Sequence, residues 1–349
     1  MDERLARRGG AIECLRLPAW AFGLASGLRS SLYESGLLGA ARAGAPVFSV
    51  GNITVGGTGK TPMVAWLARE LQRRGRRVGW LARGYGAQPG ELNDEARMLL
   101  AQIPGLDHVQ GRDRVRGAAG LVERGVNAIV LDDGFQHRRL QRDVDFVLVD
   151  ALRPWGLARD SNGMSVRALL PRGLLRENPR ALSRADAIVV TRVDQVPENW
   201  LEVLTAEIEQ LAPGVPRVHA LHAPRGVRLS DGTLEPVGML RDLEVDLISG
   251  IGNPEAFSRS VRALGALVRE ERRFEDHRAF VSADLDGLGA DGRLVLCTAK
   301  DQVKLTALGV QSAALEIEMS MGEGAQFLEA LIESALDADT PAMLQGRSL

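Results

Sequence analysis

The chain has little from which to build a redox or metal framework. Its 349 residues include two cysteines, Cys14 and Cys297, far apart in sequence. That pattern excludes a disulfide scaffold and a cysteine-ligated metal site, and it fits a reducing cytoplasm. Aromatic residues are only 4% of the chain, which leaves no base-stacking platform, and a net charge of −2 argues against bulk nucleic-acid binding. The uncharged, mostly apolar stretch over residues 17–28 is too short to span a bilayer. Repeats, low-complexity tracts and heptads are missing too. What remains, 45% hydrophobic and 25% charged residues, is the composition of an ordinary globular protein, and the length suggests about two domains.

The strongest positive signal is Val50-Gly51-Asn52-Ile53-Thr54-Val55-Gly56-Gly57-Thr58-Gly59-Lys60-Thr61-Pro62. An apolar run feeds a glycine-rich turn ending in Gly-Lys-Thr, and a helix-forming stretch follows. Nucleotide phosphates need that order. Glycines let backbone N–H groups approach anionic oxygens, Lys60 adds a point charge for the β/γ-phosphates, the Thr61 hydroxyl suits Mg²⁺, and the helix N-terminus adds its dipole. Thr54, Gly56, Gly57, Thr58, Gly59, Lys60 and Thr61 are therefore the candidate nucleotide-binding residues. One position departs from the pattern: Thr54 stands where a first glycine is usual, so Gly56 and Gly57 are expected to do the bending.

The first two-thirds of the chain alternates strand-like and helix-like segments. Strands are expected over residues 47–53, 78–82, 128–131, 144–149 and 187–190, and helices over 61–74 and 112–124. The strands are continuous apolar runs, as in a parallel sheet covered on both faces. A break near residues 223–237, with Ser230-Asp231-Gly232-Thr233 as a hairpin turn, reads as a linker. Beyond it come strands over 245–251 and 294–297 and helices over 254–264 and 326–336, the first with Asn253 as a cap. The expected architecture is α/β: a P-loop NTPase-type parallel-sheet domain over 39–222, a linker or hinge over 223–240, and a smaller α/β domain over 241–349, preceded by a helical segment over 1–38.

Ile129-Val130-Leu131-Asp132-Asp133 places two carboxylates at the C-terminal end of a strand, where open α/β sheets bind ligands. A P-loop enzyme holds Mg²⁺ there, which makes Asp132 and Asp133 candidate metal residues with Thr61. Arg83-Gly84-Tyr85-Gly86, followed by Asn93-Asp94-Glu95, puts acids in a loop above the sheet that suit a metal ligand, a general base or plain solvation. Phe274-Glu275-Asp276-His277 puts one of five histidines behind two acids able to fix its tautomer. His137, beside Asp133 and followed by Arg138 and Arg139, suits a phosphate or substrate contact. Two further segments, Thr191-Arg192-Val193-Asp194 and Thr298-Ala299-Lys300-Asp301, are similar to base-reading loops of GTPases, which keeps a nucleotide switch as the rival to an enzyme.

Together these blocks resemble the tetraacyldisaccharide 4′-kinases, the lipid A 4′-kinases of Gram-negative bacteria. The carriers, besides the P-loop run, are Arg83-Gly84-Tyr85-Gly86, Asp94-Glu95, Asp132-Asp133-Gly134-Phe135-Gln136-His137, Leu170-Pro171-Arg172-Gly173-Leu174-Leu175-Arg176-Glu177, Gly250-Ile251-Gly252-Asn253-Pro254 and Phe274-Glu275-Asp276-His277. The family's Gly-Asp-Glu-Pro block reads Asn93-Asp94-Glu95-Ala96 here, and Arg278 stands where a second histidine is common. The resemblance implies transfer of the γ-phosphoryl group of ATP to the 4′-hydroxyl of a tetraacylated glucosamine disaccharide 1-phosphate. It implies Lys60 on the β/γ-phosphates, Asp94 as acceptor of the hydroxyl proton with His277 as its orienter, and Arg176 as a stabiliser of phosphate charge. With Asp94 and His277 expected in different domains, it also implies a hinge that brings them together. A kinase acting on another membrane-bound sugar or polyprenol acceptor would use the same chemistry.

The N-terminus takes its meaning from that acceptor. Arg4, Arg7, Arg8 and Arg16 precede the apolar stretch and Arg29 follows it. A signal peptide has this order, but a P-loop begins about twenty residues later and ATP chemistry belongs inside the cell. The alternatives are a helix packed on the protein's own core and an interfacial helix with Trp20 and Phe22 at headgroup level. An acceptor that stays in the bilayer favours the second. The expected location is peripheral, on the cytoplasmic face of the inner membrane.

Overall fold

The computed structural model describes residues 11–84, 91–157, 166–251, 254–275 and 278–338. Tyr85, Gly86, Gly252, Asn253, Asp276 and His277 lie outside them, as does the side chain of Asp94. The chain divides into two compact units, Met1–Gly84 with Gly105–Leu221 and Met319–Leu349, and Tyr85–Pro104 with His222–Glu318.

In the first unit the strands are β1 (Val47–Asn52), β2 (Val78–Ala82), β3 (Asp107–Gln110), β4 (Ala128–Asp132), β5 (Val144–Asp150), β6 (Ala187–Thr191) and the start of β7 (Arg217–Arg228). They pair in the order β7-β6-β5-β1-β4-β2-β3, every pair parallel. The helices are α1 (Arg16–Glu34), α2 (Lys60–Arg73), α4 (Arg114–Glu123), α5 (Glu198–Leu211) and α8 (Ala325–Ala338), with α3 (Asp94–Gln102), α6 (Pro254–Ala263) and α7 (Ala299–Ala307) in the second unit. Burial explains the unbroken apolar runs. Ile129 and Leu131 pack towards Ala118 and Leu121 of α4, while Val147, Val149, Ile188 and Val190 pack towards Leu204 and Ile208 of α5.

Order and register position the site. From β1 the chain moves outward to β2 and β3, returns to insert β4 beside β1, then crosses to β5 on the other side of β1. The strand order therefore reverses around β1, which is where such sheets bind ligands. Val50 sits opposite Asp132, so the glycine-rich turn and the acidic pair emerge side by side.

The second unit carries β9 (Glu244–Ser249), β10 (Leu267–Arg273), β11 (Leu294–Thr298) and most of β12 (Ala313–Met321), paired in the order β10-β9-β11-β12, all parallel. The end of β7 pairs antiparallel with β8 (Leu234–Glu235) around Asp231 and Gly232, so residues 223–240 form the expected hairpin, but as part of this unit rather than as a separate linker. Two other boundaries differ from expectation. Helix α3 packs on α7 and belongs to the second unit, so Asp94 does too. Helix α8 belongs to the first unit: it packs over β5, and Arg76 donates to the Leu336 carbonyl at 3.4 Å. Amphipathic helices reveal a buried face but not the sheet they bury it on. The hinge expectation rested on Asp94 lying in the first domain and loses that premise.

Among the described residues no helix is long and apolar enough to cross a membrane. Helix α1 nevertheless exposes a stripe of large apolar residues, with Leu17 at 78%, Trp20 at 67%, Leu24 at 54% and Leu28 at 63% of their full accessibility, and buries only Ala19. Residues spaced by three and four share one helix face.

Candidate functional site

The glycine-rich turn is held by its neighbours rather than by its own sequence. Thr54, in the place of the missing glycine, is buried and bridges antiparallel to Leu175, and Val55 N donates to the Leu174 carbonyl at 2.7 Å. That position is pinned as a short ladder, so it needs no glycine. Gly56 (φ 124°) and Gly59 (φ 89°) supply the left-handed backbone, and Gly59 is the N-cap of α2. Gly57 does not share that conformation. Its carbonyl accepts from Arg192 Nη2 at 2.9 Å. Gly51 serves close approach: a Cβ there would stand 2.6 Å from Phe135 Cβ, so only glycine lets the turn after β4 fold against β1.

Asn52 is the hub beneath the turn. Fully buried, it donates from Nδ2 to Thr58 Oγ1 at 2.9 Å and to Thr54 Oγ1 at 3.4 Å, and its Oδ1 accepts from Lys60 Nζ at 3.3 Å. Lys60 Nζ also lies 3.8 Å from Asp133 Oδ1. Arg176 reaches the same carboxylate, with Nη1 2.7 Å from both oxygens, because Arg176 N donates to the Ile53 carbonyl at 2.8 Å and so fixes the 174–176 segment along the turn. Asp133 adopts φ 53°, a left-handed conformation that Asp tolerates better than most residues and that clusters at functional sites. Burial alone would raise its carboxyl, but Lys60 and Arg176 outweigh that and hold it below the usual carboxylate range. Around this cluster, Gln136 donates to the Asn52 carbonyl and to Glu177, each at 2.9 Å, and Arg184 meets Glu177 at 2.7 Å while stacking over Phe135.

The first unit thus brings together Thr54, Gly56, Gly57, Thr58, Gly59, Lys60, Thr61, Asp132, Asp133 and Arg176. A threonine hydroxyl and two adjacent carboxylates at the end of a buried parallel strand are hard oxygen donors. In chemical type they fit the small protein share of a Mg²⁺ shell that phosphates would complete. Asp94 opens α3 in the second unit, with Asn93 as its N-cap accepting from Ala96 N at 2.9 Å. His277 lies outside the described residues.

Sequence reasoning assigned no role to Asn52, Gln136 or Glu177. The available signal was a buried-strand asparagine immediately before the glycine turn. It assigned a different one to Arg192. Arg192 (φ 58°) pairs with buried Asp150 and the Gly57 carbonyl, and Thr191 Oγ1 donates to the Thr58 carbonyl at 3.0 Å. Both brace the phosphate turn instead of facing a base. Burial pushes the Asp150 carboxyl up, with Arg192 opposing it. In the second unit, Asp301 is fully buried and accepts from Gly250 N, Thr298 Oγ1 and Lys304 Nζ, an anchoring role inside that unit. His137 is pushed down to about 4, first by burial and then by Arg114, Arg29, Arg139 and Arg142. It is neutral near pH 7, so a phosphate or substrate contact there would be made by an uncharged ring.

A family model described as tetraacyldisaccharide-1-P 4′-kinase matches residues 12–337 of the chain. A tetraacyldisaccharide 4′-kinase of Anaeromyxobacter dehalogenans (strain 2CP-C) is 40% identical over 341 residues, spanning 89% of this chain and 87% of the relative. One of Geobacter sulfurreducens is 37% identical over 326 residues, 86% of each. Among solved structures, LpxK from Aquifex aeolicus in complex with ATP aligns with a TM-score of 0.74 at 29% identity, over 92% of this chain and 98% of that one.

Proposed function

The chain belongs to the tetraacyldisaccharide-1-P 4′-kinase family, and from that premise we propose how its own residues serve the reaction. It is an ATP-dependent kinase that phosphorylates the 4′-hydroxyl of a tetraacylated glucosamine disaccharide 1-phosphate, a step of lipid A biosynthesis. The observation that carries the site assignment is the convergence of Lys60 and Arg176 on Asp133 beside the glycine turn.

Phosphoryl transfer asks a protein mainly for positioning and charge stabilisation. The 4′-oxygen attacks the γ-phosphorus, the bond to the β–γ bridging oxygen breaks, and ADP leaves. Charge grows on the bridging and equatorial oxygens, and Lys60 and Arg176 are the cations set to meet it. Asn52 aims Lys60 and fixes Thr58, so the cradle is shaped by the chain's own hydrogen bonds. Thr61, Asp132 and Asp133 would hold Mg²⁺, which supplies charge neutralisation on the phosphate oxygens. Asp94 accepts the hydroxyl proton and His277 orients it, roles that rest on the family resemblance. Helix α1 would place the enzyme peripherally on the cytoplasmic face of the inner membrane, with its exposed stripe in the headgroup region and Arg16 and Arg29 on anionic lipid.

The deciding experiment follows label from γ-labelled ATP into purified tetraacyldisaccharide 1-phosphate in neutral micelles, with and without Mg²⁺. Metal-dependent lipid labelling that is lost in Lys60→Ala, Asp94→Ala and His277→Ala supports the full reading. Undiminished labelling in the Asp94 and His277 variants would overturn the dyad and leave the phosphate site standing.

A further inference from the structure

Within the first unit, the loop that follows the acidic pair is held from two sides. On the β1 side, Gly134 N donates to the Val50 carbonyl at 3.3 Å and Gln136 Nε2 to the Asn52 carbonyl at 2.9 Å. His137 N donates back to the Gly134 carbonyl at 2.8 Å, which closes a turn over residues 134–137. On the other side, Ala41 N donates to the Arg139 carbonyl at 2.8 Å, and the Ala41 carbonyl accepts from Gln141 N at 2.9 Å. Between these ties stands Arg138, to which the phosphoryl-transfer steps above give no task.

Arg138 engages α1 in three ways. Its Nη1 donates to the Ser30 carbonyl and to Glu34 Oε1, each at 3.1 Å, and its guanidinium lies over Tyr33, 5.5 Å from the ring centroid. Arg29 approaches the same ring at 5.8 Å. The contact falls at the C-terminal end of α1, where the helix dipole favours a cation. Glu34 keeps 54% of its side-chain accessibility, so this ion pair adds little stability. What a carbonyl, a carboxylate and a ring supply together is direction. Gln136 and Arg138 also line one small cavity of about 30 Å³ with Ser26 and Ser30 of α1, so the helix and the phosphate turn meet the same loop.

Asp133 is where this matters. Its left-handed backbone, φ 53°, persists in a non-glycine residue only when the surrounding structure over-determines it. Val50 and Asn52 hold one flank of the loop, and Arg138 with Ala41 holds the other. We propose that Arg138 is a positioning residue for phosphoryl transfer: through Ser30, Tyr33 and Glu34 it uses the end of α1 as a fixed post that holds the loop after Asp133, and with it the acidic pair, at the phosphate turn. Helix α1 is thereby a strut for the site as well as the carrier of the outward apolar stripe. The reaction that the strut serves rests on the kinase reading above.

The test compares full-length wild type, Arg138→Ala, Arg138→Lys and the pair Tyr33→Leu with Glu34→Gln, using γ-labelled ATP and tetraacyldisaccharide 1-phosphate in neutral micelles. Arg138→Ala is expected to lower kcat about tenfold, as a small misplacement of catalytic groups does, with KM for ATP within about twofold of wild type and partition onto anionic vesicles unchanged. Arg138→Lys should recover part of the rate, because an ammonium reaches the carbonyl and the carboxylate without the planar fork. The Tyr33 and Glu34 pair should lower kcat in the same direction, and adding Arg138→Ala to it should cost less than Arg138→Ala costs alone. Undiminished kcat in Arg138→Ala overturns the proposal. So do fully additive losses, which would mean that Arg138 does not act through α1. A wild type that labels no lipid overturns the kinase reading instead. Amide hydrogen exchange then judges the strut by itself: exchange over residues 133–140 should quicken in Arg138→Ala, and unchanged protection there overturns it.

Discussion

Arg176 places one nitrogen, Nη1, 2.7 Å from each carboxylate oxygen of Asp133, while Lys60 approaches the same group at 3.8 Å. A half-buried carboxylate between two cations holds them together with one positive charge left over. It keeps both cations aimed at one point until phosphate oxygens compete for them. Replacing Arg176 by Ala is expected to lower kcat about 10²- to 10³-fold, with Arg176→Lys recovering part of it. The pH profile gives a sharper reading. Asp133 is held below the usual range in the folded protein, so its ionised form persists, and its contribution to stability is lost only as pH falls through that depressed value. In Arg176→Ala burial regains weight and the acid limb of kcat should move to higher pH. An acid limb that does not move would mean that another group controls it.

The two neighbouring acids are expected to fail differently. Asp133→Asn releases Lys60 and Arg176, so turnover should fall even at saturating Mg²⁺. Asp132→Asn leaves that cluster intact and should raise the Mg²⁺ concentration needed for half-maximal rate. Metal titrations of both variants, read as kcat against apparent metal affinity, separate the roles. Identical curves would remove the distinction.

Arg192 links β6 to the phosphate turn through Asp150 and the Gly57 carbonyl. Arg192→Ala leaves the Asp150 carboxylate buried without its partner, which should cost about 3–5 kcal/mol of stability. It should also raise KM for ATP by loosening the turn. The preference for ATP over GTP should stay as it was, because the side chain braces phosphate rather than reading a base. A competition assay that showed altered base preference would restore the nucleotide-switch reading of this segment.

His137 offers a stability test. Its pKa is pushed down to about 4 by burial and by the surrounding arginines. Between that value and the unfolded value of about 6.5 the unfolded chain binds the extra proton, so stability must fall as pH drops through this window. His137→Gln should flatten that part of the pH–stability curve measured by denaturant unfolding. An unchanged slope would assign the loss to other groups.

Much of the first unit was legible because parallel strands are buried on both faces and therefore read as uninterrupted apolar runs. Expected strands at 78–82 and 128–131 appear as Val78–Ala82 and Ala128–Asp132. The placement of the candidate site was legible for the same reason, since strand-end position brings Lys60 and Asp132 to one edge. Two kinds of feature stayed hidden. One is the partner of an amphipathic helix: nothing in α3 or α8 says which sheet it covers, and both were expected in the other unit. The other is a side chain's long-range contact. Arg176 meets Asp133 only because the 174–176 backbone pairs with the turn, and Arg192 looked like a base reader because its tie to Gly57 spans 135 residues.

Helix α1 carries the last prediction. Its apolar stripe faces outward, and its C-terminal half is tied down at the active-site side: Arg138 Nη1 donates to the Ser30 carbonyl and to Glu34, each at 3.1 Å. Arg138 lies five residues after Asp133, so the helix is anchored to the loop that follows the acidic pair. Removing residues 1–38 should reduce partition onto anionic liposomes, but it also removes that anchor. A double substitution, Leu24→Glu with Leu28→Glu, changes only the exposed stripe and should weaken partition while the unfolding free energy stays within about 1 kcal/mol of wild type. Sedimentation with vesicles of defined anionic content measures it. Undiminished partition of the double variant would mean that the stripe serves some contact other than the membrane surface.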